Sequence, residues 1–276
     1  MALLEVSGVT VRFGGVVAVD DASLSAEAGR VTGLIGPNGA GKTTLFNVIT
    51  GLLPATAGSV VFDGRDLTRA APSRRARAGM GRTFQRLEAF GSLSVRDNVL
   101  VASEIHAGLR GLLRRRQSSV DDLLARVGIA PYAGHRADAV PTGVARLLEM
   151  ARVLAIDPRL LLLDEPSSGL DESETAGFGS LLRELAGEGR GVLLVEHDMG
   201  LVMNVCDVIH VLEFGRIIAS GTPEEIRADR RVQEAYLGAS PEPDASAGPH
   251  DTAELPLAGQ VTEELSFPGR HREGVS

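Results

Sequence analysis

Residues 36–44 read Gly36-Pro37-Asn38-Gly39-Ala40-Gly41-Lys42-Thr43-Thr44 and fit the pattern G-x-x-x-x-G-K-[ST] in full. Glycines at its first, fourth and sixth places let the backbone wrap closely around an anion. Its N–H groups, and the positive end of a helix beginning just after them, then face that anion. The chemistry such a loop serves is phosphate binding: Lys42 reaches the β- and γ-phosphates of a nucleoside triphosphate, and the Thr43 hydroxyl ligates Mg²⁺. All but one of the 28 basic residues are arginine, and the exception is Lys42, where the motif needs a compact ammonium rather than a planar fork.

Two further groups could complete a reaction at that anion. The run Leu160–Leu163 ends in Asp164 and Glu165. An aspartate at the end of a buried strand holds the metal in P-loop NTPases, and Glu165, next in line, can polarise an attacking water. His197 follows the run Val192–Glu196, at the strand end where ligands sit in open α/β sheets. Cys206 and the other five histidines show no metal-ligand spacing and are read as structural.

These groups require particular elements to position them. Val31–Ile35 is an apolar strand running into the glycine-rich loop, and Thr43–Thr50 reads as a helix stopped by Gly51 and Pro54. The opening is β-like: Leu3–Val6, Val9–Phe13 and Ala22–Ala26 are short runs broken by glycines, with a further strand at Gly58–Asp63. From Val95 to Ile156 the pattern is helical, with apolar residues at 3–4 spacing in Val120–Val127 and Val144–Ala155. Strands return at Leu160–Leu163, Val192–Val195, Val208–Leu212 and Arg216–Ala219. Alternation of this kind implies a parallel sheet covered on both faces, with the helical block as an inserted lobe.

The 276 residues suffice for one large domain plus an appendage. A net charge of −8 argues against general nucleic-acid binding. With one cysteine no intramolecular disulfide can form. The start carries no basic region ahead of an apolar stretch, so no signal peptide is expected, and no run approaches the roughly 18 apolar residues of a membrane span. If the protein works at a membrane, other chains must cross it. Residues 239–276 are rich in Pro, Gly, Ser, Ala and acids and are read as a disordered acidic tail.

Five motifs in register resemble an ABC-transporter ATPase subunit: the P-loop, Gln85 in Arg82-Thr-Phe-Gln85, Asp164-Glu165-Pro166, Ser168-Gly-Leu-Asp171 and Glu196-His197-Asp198. The resemblance covers about residues 3–238. Within that superfamily it is similar to the branched-chain amino acid importer ATPases, on Val11-Arg-Phe-Gly-Gly15, Leu45-Phe-Asn-Val-Ile-Thr-Gly51, Arg82-Thr-Phe-Gln85, Glu196-His-Asp-Met199 and Gly221-Thr-Pro-Glu-Glu-Ile226 through Ala235-Tyr-Leu-Gly238. The lipopolysaccharide-export ATPases share several of these stretches.

The resemblance implies an α/β P-loop NTPase core with an N-terminal antiparallel β region and an inserted helical lobe near residues 94–152. It implies ATP and Mg²⁺ as ligands, with Thr43, Gln85 and Asp164 toward the metal. Phe13 would stack on adenine, Gln85 would sense the metal and the attacking water, Glu165 would be the general base, and His197 would contact the γ-phosphate. Asp171 would lie at a dimer interface. Two such subunits sandwich two ATPs at the cytoplasmic face of a membrane, attached to permease subunits and served indirectly by a solute-binding protein. Export of lipid or lipopolysaccharide is the alternative task, and a mainly regulatory ATP-binding subunit is another.

One motif departs from the family pattern. The signature, usually Leu-Ser-Gly-Gly-Gln, falls on Val140-Pro-Thr-Gly-Val144, which keeps Gly143 and loses the serine and glutamine. Proline has neither hydroxyl nor N–H to offer a phosphate. Thr142 is expected to cap the following helix and to supply a hydroxyl nearby. Each signature in this family completes the other subunit's site, so the expected partner is a paralogue with an ordinary signature.

Overall fold

The computed structural model describes residues 2–83, 88–107 and 120–237; Gln85 and the tail expected at 239–276 lie outside the described residues. The chain opens with a long hairpin, β1 (Ala2–Phe13) and β2 (Val16–Glu27), and continues through β3 (Val31–Ile35), α1 (Lys42–Thr50), β4 (Ala57–Phe62) and β5 (Arg65–Asp66). Next come α2 (Pro72–Ala78) and β6 (Met80–Arg82), then three helices: α3 (Val95–Ala107), α4 (Val120–Arg126) and α5 (Thr142–Leu154). The last third alternates β7 (Leu160–Asp164), α6 (Glu172–Gly187), β8 (Gly191–Val195), α7 (Met199–Val205), β9 (Val208–Glu213) and β10 (Arg216–Gly221), and ends in α8 (Pro223–Ala228) and α9 (Arg230–Leu237).

Two sheets result. One is antiparallel in the order β2-β1-β4-β5; the other runs β10-β9-β3-β8-β7-β6, parallel except where β10 pairs with β9. Every residue of β3, β7 and β8 is buried, the state that continuous apolar runs reach when both faces of a parallel sheet are covered. The expected architecture, including the helical lobe between β6 and β7, is the one observed. Val99, Leu124 and Leu148, each at most 1% exposed, hold α3, α4 and α5 together.

Strand β3 feeds the glycine-rich loop into α1, so α1 must be anchored at its far end. Gly51 ends it at φ 77°, and the buried Arg75 donates to the carbonyls of Val48 and Ile49, 2.7 Å each, and to Thr68 and Ala70 at 3.0 and 3.1 Å. A cation at a helix C-terminus, meeting its unpaired carbonyls, is favourable on both hydrogen-bonding and dipole grounds. Helix α2, which carries Arg75, is not foreseen in the sequence. Its one buried residue is this arginine, so it has no apolar periodicity to read.

The two sheets are fastened beside the loop by the β9–β10 hairpin. Gly215 N–H donates to the Ala40 carbonyl (2.9 Å), Asp20 N–H donates to the Gly215 carbonyl (2.8 Å), and Arg216 pairs with Asp20. Deeper in, His210 of β9 is 6% exposed and bridges both sheets, with Nδ1 2.7 Å from Ser220 Oγ and Nε2 3.2 Å from the Ser25 carbonyl. A carbonyl only accepts, so Nε2 carries the proton and the Ser220 hydroxyl donates to Nδ1.

Burial holds the His210 imidazole below its ordinary pKa of 6.5, against an opposing contribution from the Ser25 carbonyl. The unfolded chain therefore takes up this proton first as pH falls through about 6.5, and stability drops with it. Urea midpoints should decline between pH 7.5 and 5.5 in the native protein, and the decline should be shallower in His210→Gln. An equal slope in the two proteins would remove His210 from the account.

Candidate active site

The loop between β3 and α1 is tightly constrained. A Cβ on Gly36 would lie 2.0 Å from the Leu212 carbonyl oxygen, and one on Gly41, at φ 106°, would lie 2.5 Å from that of Ala18. Both places exclude any side chain, and Gly41 also adopts a backbone conformation that L-residues rarely take. Gly41 sits at the N-cap of α1 without a side-chain cap, which leaves the first-turn N–H groups facing outward. Asn38, Gly39, Ala40, Gly41, Lys42, Thr43 and Thr44 line a cavity of about 310 Å³ together with Ala18, Glu165 and His197. The geometry thus brings together the three sequence groups that were singled out separately.

Lys42 is 6% exposed, and its ammonium donates to the carbonyls of Gly36 (2.7 Å) and Pro37 (2.9 Å). Burial lowers its pKa, and the charges of Glu165 and Asp164 oppose that shift. Asp164 is 1% exposed at the end of β7, behind the cavity lining. Burial raises its pKa, opposed first by the Arg82 guanidinium, which donates to Oδ2 at 3.2 Å. Among the described residues, its other oxygen, Oδ1, is buried without a hydrogen-bond partner. A hard cation is the natural partner of such an oxygen. No group of three or more His, Cys, Asp or Glu able to hold a metal exists among the described residues. The orphaned carboxylate oxygen of Asp164 fits Mg²⁺, which is commonly held by one or two carboxylates plus substrate phosphates.

Glu165 adopts φ 50°, a left-handed conformation costing about 1–2 kcal/mol for a residue with a Cβ. Its N–H donates to the Val195 carbonyl at 2.9 Å, and Oε1 lies 2.8 Å from His197 Nε2. Glu196, of the Glu196-His197-Asp198 motif, is 4% exposed. It accepts the N–H of Ser167 on Oε1 (2.7 Å) and that of His197 on Oε2 (3.0 Å). The only sequence signal for it is an acid placed at the end of an apolar strand, and such an acid reads as solvated.

The remaining candidates lie apart from the cavity lining. Phe13 ends β1 at 52% exposure, so it is no core aromatic, while Ala18 of the same hairpin lines the cavity. Asp171 caps α6 in a reciprocal box with Glu174, at 2.8 and 2.9 Å. A Cβ on Gly143 would lie 2.8 Å from Glu174 Oε2, and one on Gly169 would lie 2.9 Å from the Thr142 methyl. Residues 142–143 and 169–174 therefore form a second cluster. The expectation that Thr142 caps α5 is not met. Pro141 holds the N-cap at φ −55° without any side-chain cap bond, and Thr142 is already helical. Val144, at the glutamine place, is 5% exposed and packs into the core of its own lobe. Cys206 is buried, with its thiol pKa pushed up to about 12, and plays no part here.

Comparison with known proteins gives a consistent picture. The family profile described as ABC transporter matches residues 19–168, and that of the branched-chain amino acid ATP-binding cassette transporter matches residues 216–241. The high-affinity branched-chain amino acid transport ATP-binding protein LivG of Salmonella typhimurium is 42% identical over 249 residues, covering 86% of this chain and 98% of its own. BraF of Pseudomonas aeruginosa, of the same description, is 41% identical over the same shares. The lipopolysaccharide export ATP-binding protein LptB of Escherichia coli is 34% identical over 238 residues, covering 86% and 98%. A solved ATP-binding cassette of an ABC transporter in its ADP conformation superposes with a TM-score of 0.76 at 31% identity, covering 86% of this chain and 99% of that one.

Arg82 is a direct test of how the site is held, since it also donates to Asn47 Oδ1 (2.7 Å) and Thr50 Oγ1 (2.9 Å). Arg82→Met leaves Asp164 buried beside two stranded acceptors and should destabilise the fold by about 3–5 kcal/mol. Urea unfolding of the variant measures this, and a loss below about 1 kcal/mol would mean the pair contributes little.

Proposed function

The chain belongs to the ABC transporter ATP-binding proteins, and from that membership we propose that it is the ATP-hydrolysing motor of an importer for branched-chain or related amino acids. The observation that carries this reading is the pairing of Glu165 with His197 at 2.8 Å across the mouth of an intact phosphate loop. The cargo class is supported by identity of 41–42% to branched-chain amino acid relatives over nearly their whole length, against 34–35% for lipopolysaccharide exporters. Among the described residues no helix is long and apolar enough to cross a membrane. Attachment at the cytoplasmic face therefore falls to permease subunits, with a solute-binding protein supplying cargo to them.

The reaction is ATP + H₂O → ADP + phosphate. Phe13 supplies an exposed ring for the adenine, and the N–H groups of residues 36–44 cradle the phosphates. The Lys42 ammonium turns from the loop carbonyls to the β- and γ-phosphates. Thr43 and Asp164, with Gln85, would hold Mg²⁺, which when bound would neutralise charge on the phosphate oxygens. Glu165 takes a proton from water as its oxygen bonds to the γ-phosphorus and the bond to the β-phosphate bridging oxygen breaks. His197 steadies Glu165 and contacts the γ-phosphate. Most of the acceleration comes from positioning and fixed charge.

The signature supports an asymmetric assembly. Pro141 offers no donor and Val144 is committed to its own core, so this chain presents a weakened signature to a partner's ATP. We place a paralogous ATPase subunit with an ordinary signature opposite it, facing the complete P-loop site described here, with Asp171 at the interface between the two.

Two outcomes are expected. Lys42→Ala should abolish ATP binding, while Glu165→Gln should bind ATP normally and lose turnover by at least about 10²-fold, because lysine meets ground-state charge and the glutamate acts only in the transition state. Equilibrium binding and phosphate release check both, and normal turnover in Glu165→Gln would sink the catalytic assignment. The purified chain alone should be a poor ATPase and gain about 10²-fold with its partner subunit. A homodimer with full, cooperative activity in native mass spectrometry and phosphate-release assays would rule out the asymmetric arrangement.

A further inference from the structure

Hydrolysis as proposed needs Glu165 and His197 held at one spacing, although they sit on two different strand ends. We infer that Glu196 is a positioning residue for hydrolysis: its buried carboxylate sets the register between Glu165 and His197 while touching neither nucleotide nor water. This rests on the reading of Glu165 as the general base.

The geometry forms a closed ring. On one side lie residues 165–167, just after β7; on the other lie residues 195–197, where β8 ends. Three links cross between them: Glu165 N–H to the Val195 carbonyl (2.9 Å), Ser167 N–H to Glu196 Oε1 (2.7 Å), and His197 Nε2 to Glu165 Oε1 (2.8 Å). Glu196 Oε2 closes the ring by accepting the N–H of His197 at 3.0 Å. One side chain thus grips the backbone two residues after the base and the backbone of the histidine that the base meets.

Only an ionised carboxylate suits both contacts. It is acceptor-only and takes two N–H groups at once, whereas a carboxamide of the same shape turns one contact donor to donor. Burying such a charge is costly unless it is hydrogen-bonded. At 4% exposure Glu196 has the two N–H partners that meet this need. The left-handed backbone of Glu165, φ 50°, is a strained state that persists only where surrounding contacts over-determine it. The ring through Glu196 supplies that excess of contacts.

The test is a double-mutant cycle on the full chain assembled with its partner subunits: native, Glu196→Gln, Glu165→Gln and the double variant. Turnover, nucleotide Kd and melting temperature are read for each. Glu196→Gln should lower kcat by about 10- to 100-fold, as expected for misplacing a base by a fraction of an ångström to one ångström. Nucleotide Kd should stay within about twofold, because ground-state binding rests mainly on Lys42 and the loop N–H groups, which Glu196 does not hold. Added to Glu165→Gln, the change should lower the residual single-turnover rate by far less than in the native background, since one of the two groups it registers is already gone. Unchanged kcat in Glu196→Gln, or a full multiplicative loss in the double variant, overturns the inference. Should Glu196→Gln fail to fold, Glu196→Asp keeps the charge but not the reach, and native turnover there overturns it equally. Normal turnover in Glu165→Gln would instead remove the underlying base assignment. Lost turnover in Glu165→Gln beside native turnover in Glu196→Gln removes only the positioning role.

Discussion

The backbone of the phosphate loop has no spare room at Gly36 or Gly41, and much of the architecture follows from that. Gly36 is pressed against the carbonyl of Leu212 in β9, and Gly41 against that of Ala18 in β2. The loop is therefore shaped from two sides by strands of different sheets. Those sheets must meet at this one place, which is why the β9–β10 hairpin is bonded both to Ala40 in the loop and to Asp20 in β2. A close fit of this kind replaces side-chain contacts with main-chain ones. Main-chain N–H groups are what an anion of variable orientation can use.

Buried charge is the second organising constraint. Arg75, Lys42, Asp164 and Glu196 are each at most 6% exposed, and each is matched by hydrogen-bonding groups of the fold. Arg75 has carbonyls at the end of α1; Glu196 has two backbone N–H groups. Asp164 is the informative exception, because only one of its oxygens is matched. Arg126 Nε and Arg152 Nε are also buried without a partner among the described residues, but Oδ1 of Asp164 belongs to the neighbour of Glu165, which lines the cavity, and there a ligand can complete it.

What could be read from the sequence divides along the same line. Strands β3, β7 and β8 were legible because both faces are covered, so their residues are mostly apolar. The loop, Asp164, Glu165 and His197 were legible because their types and spacing are dictated by phosphate chemistry. Helix α2 and strand β6 were not, since the one is buried through an arginine and the other is three residues long. The cap of α5 was misassigned by one residue: a threonine beside a proline looks like the capping residue, and proline's own fixed φ took the position instead. The role of Glu196 was invisible for a different reason. Its cross-strand partner, Ser167, comes within reach only once β7 and β8 are paired in register.

Arg82 has a mechanical meaning. Its guanidinium is braced against the last turns of α1 through Asn47 and Thr50, against Asp164 at the tip of β7, and over the ring of Phe46 at 5.6 Å. These are rigid abutments, and the side chain between them is planar and nearly fully enclosed. Residue 82 also stands three positions ahead of Gln85 in the chain. Arg82 therefore acts as a strut: displacement of α1 along its axis, the direction in which a phosphate at its N-terminus pulls, loads the strand end from which the glutamine-bearing segment departs. A softer side chain at position 82 would let the phosphate-binding helix move without the strand end registering it.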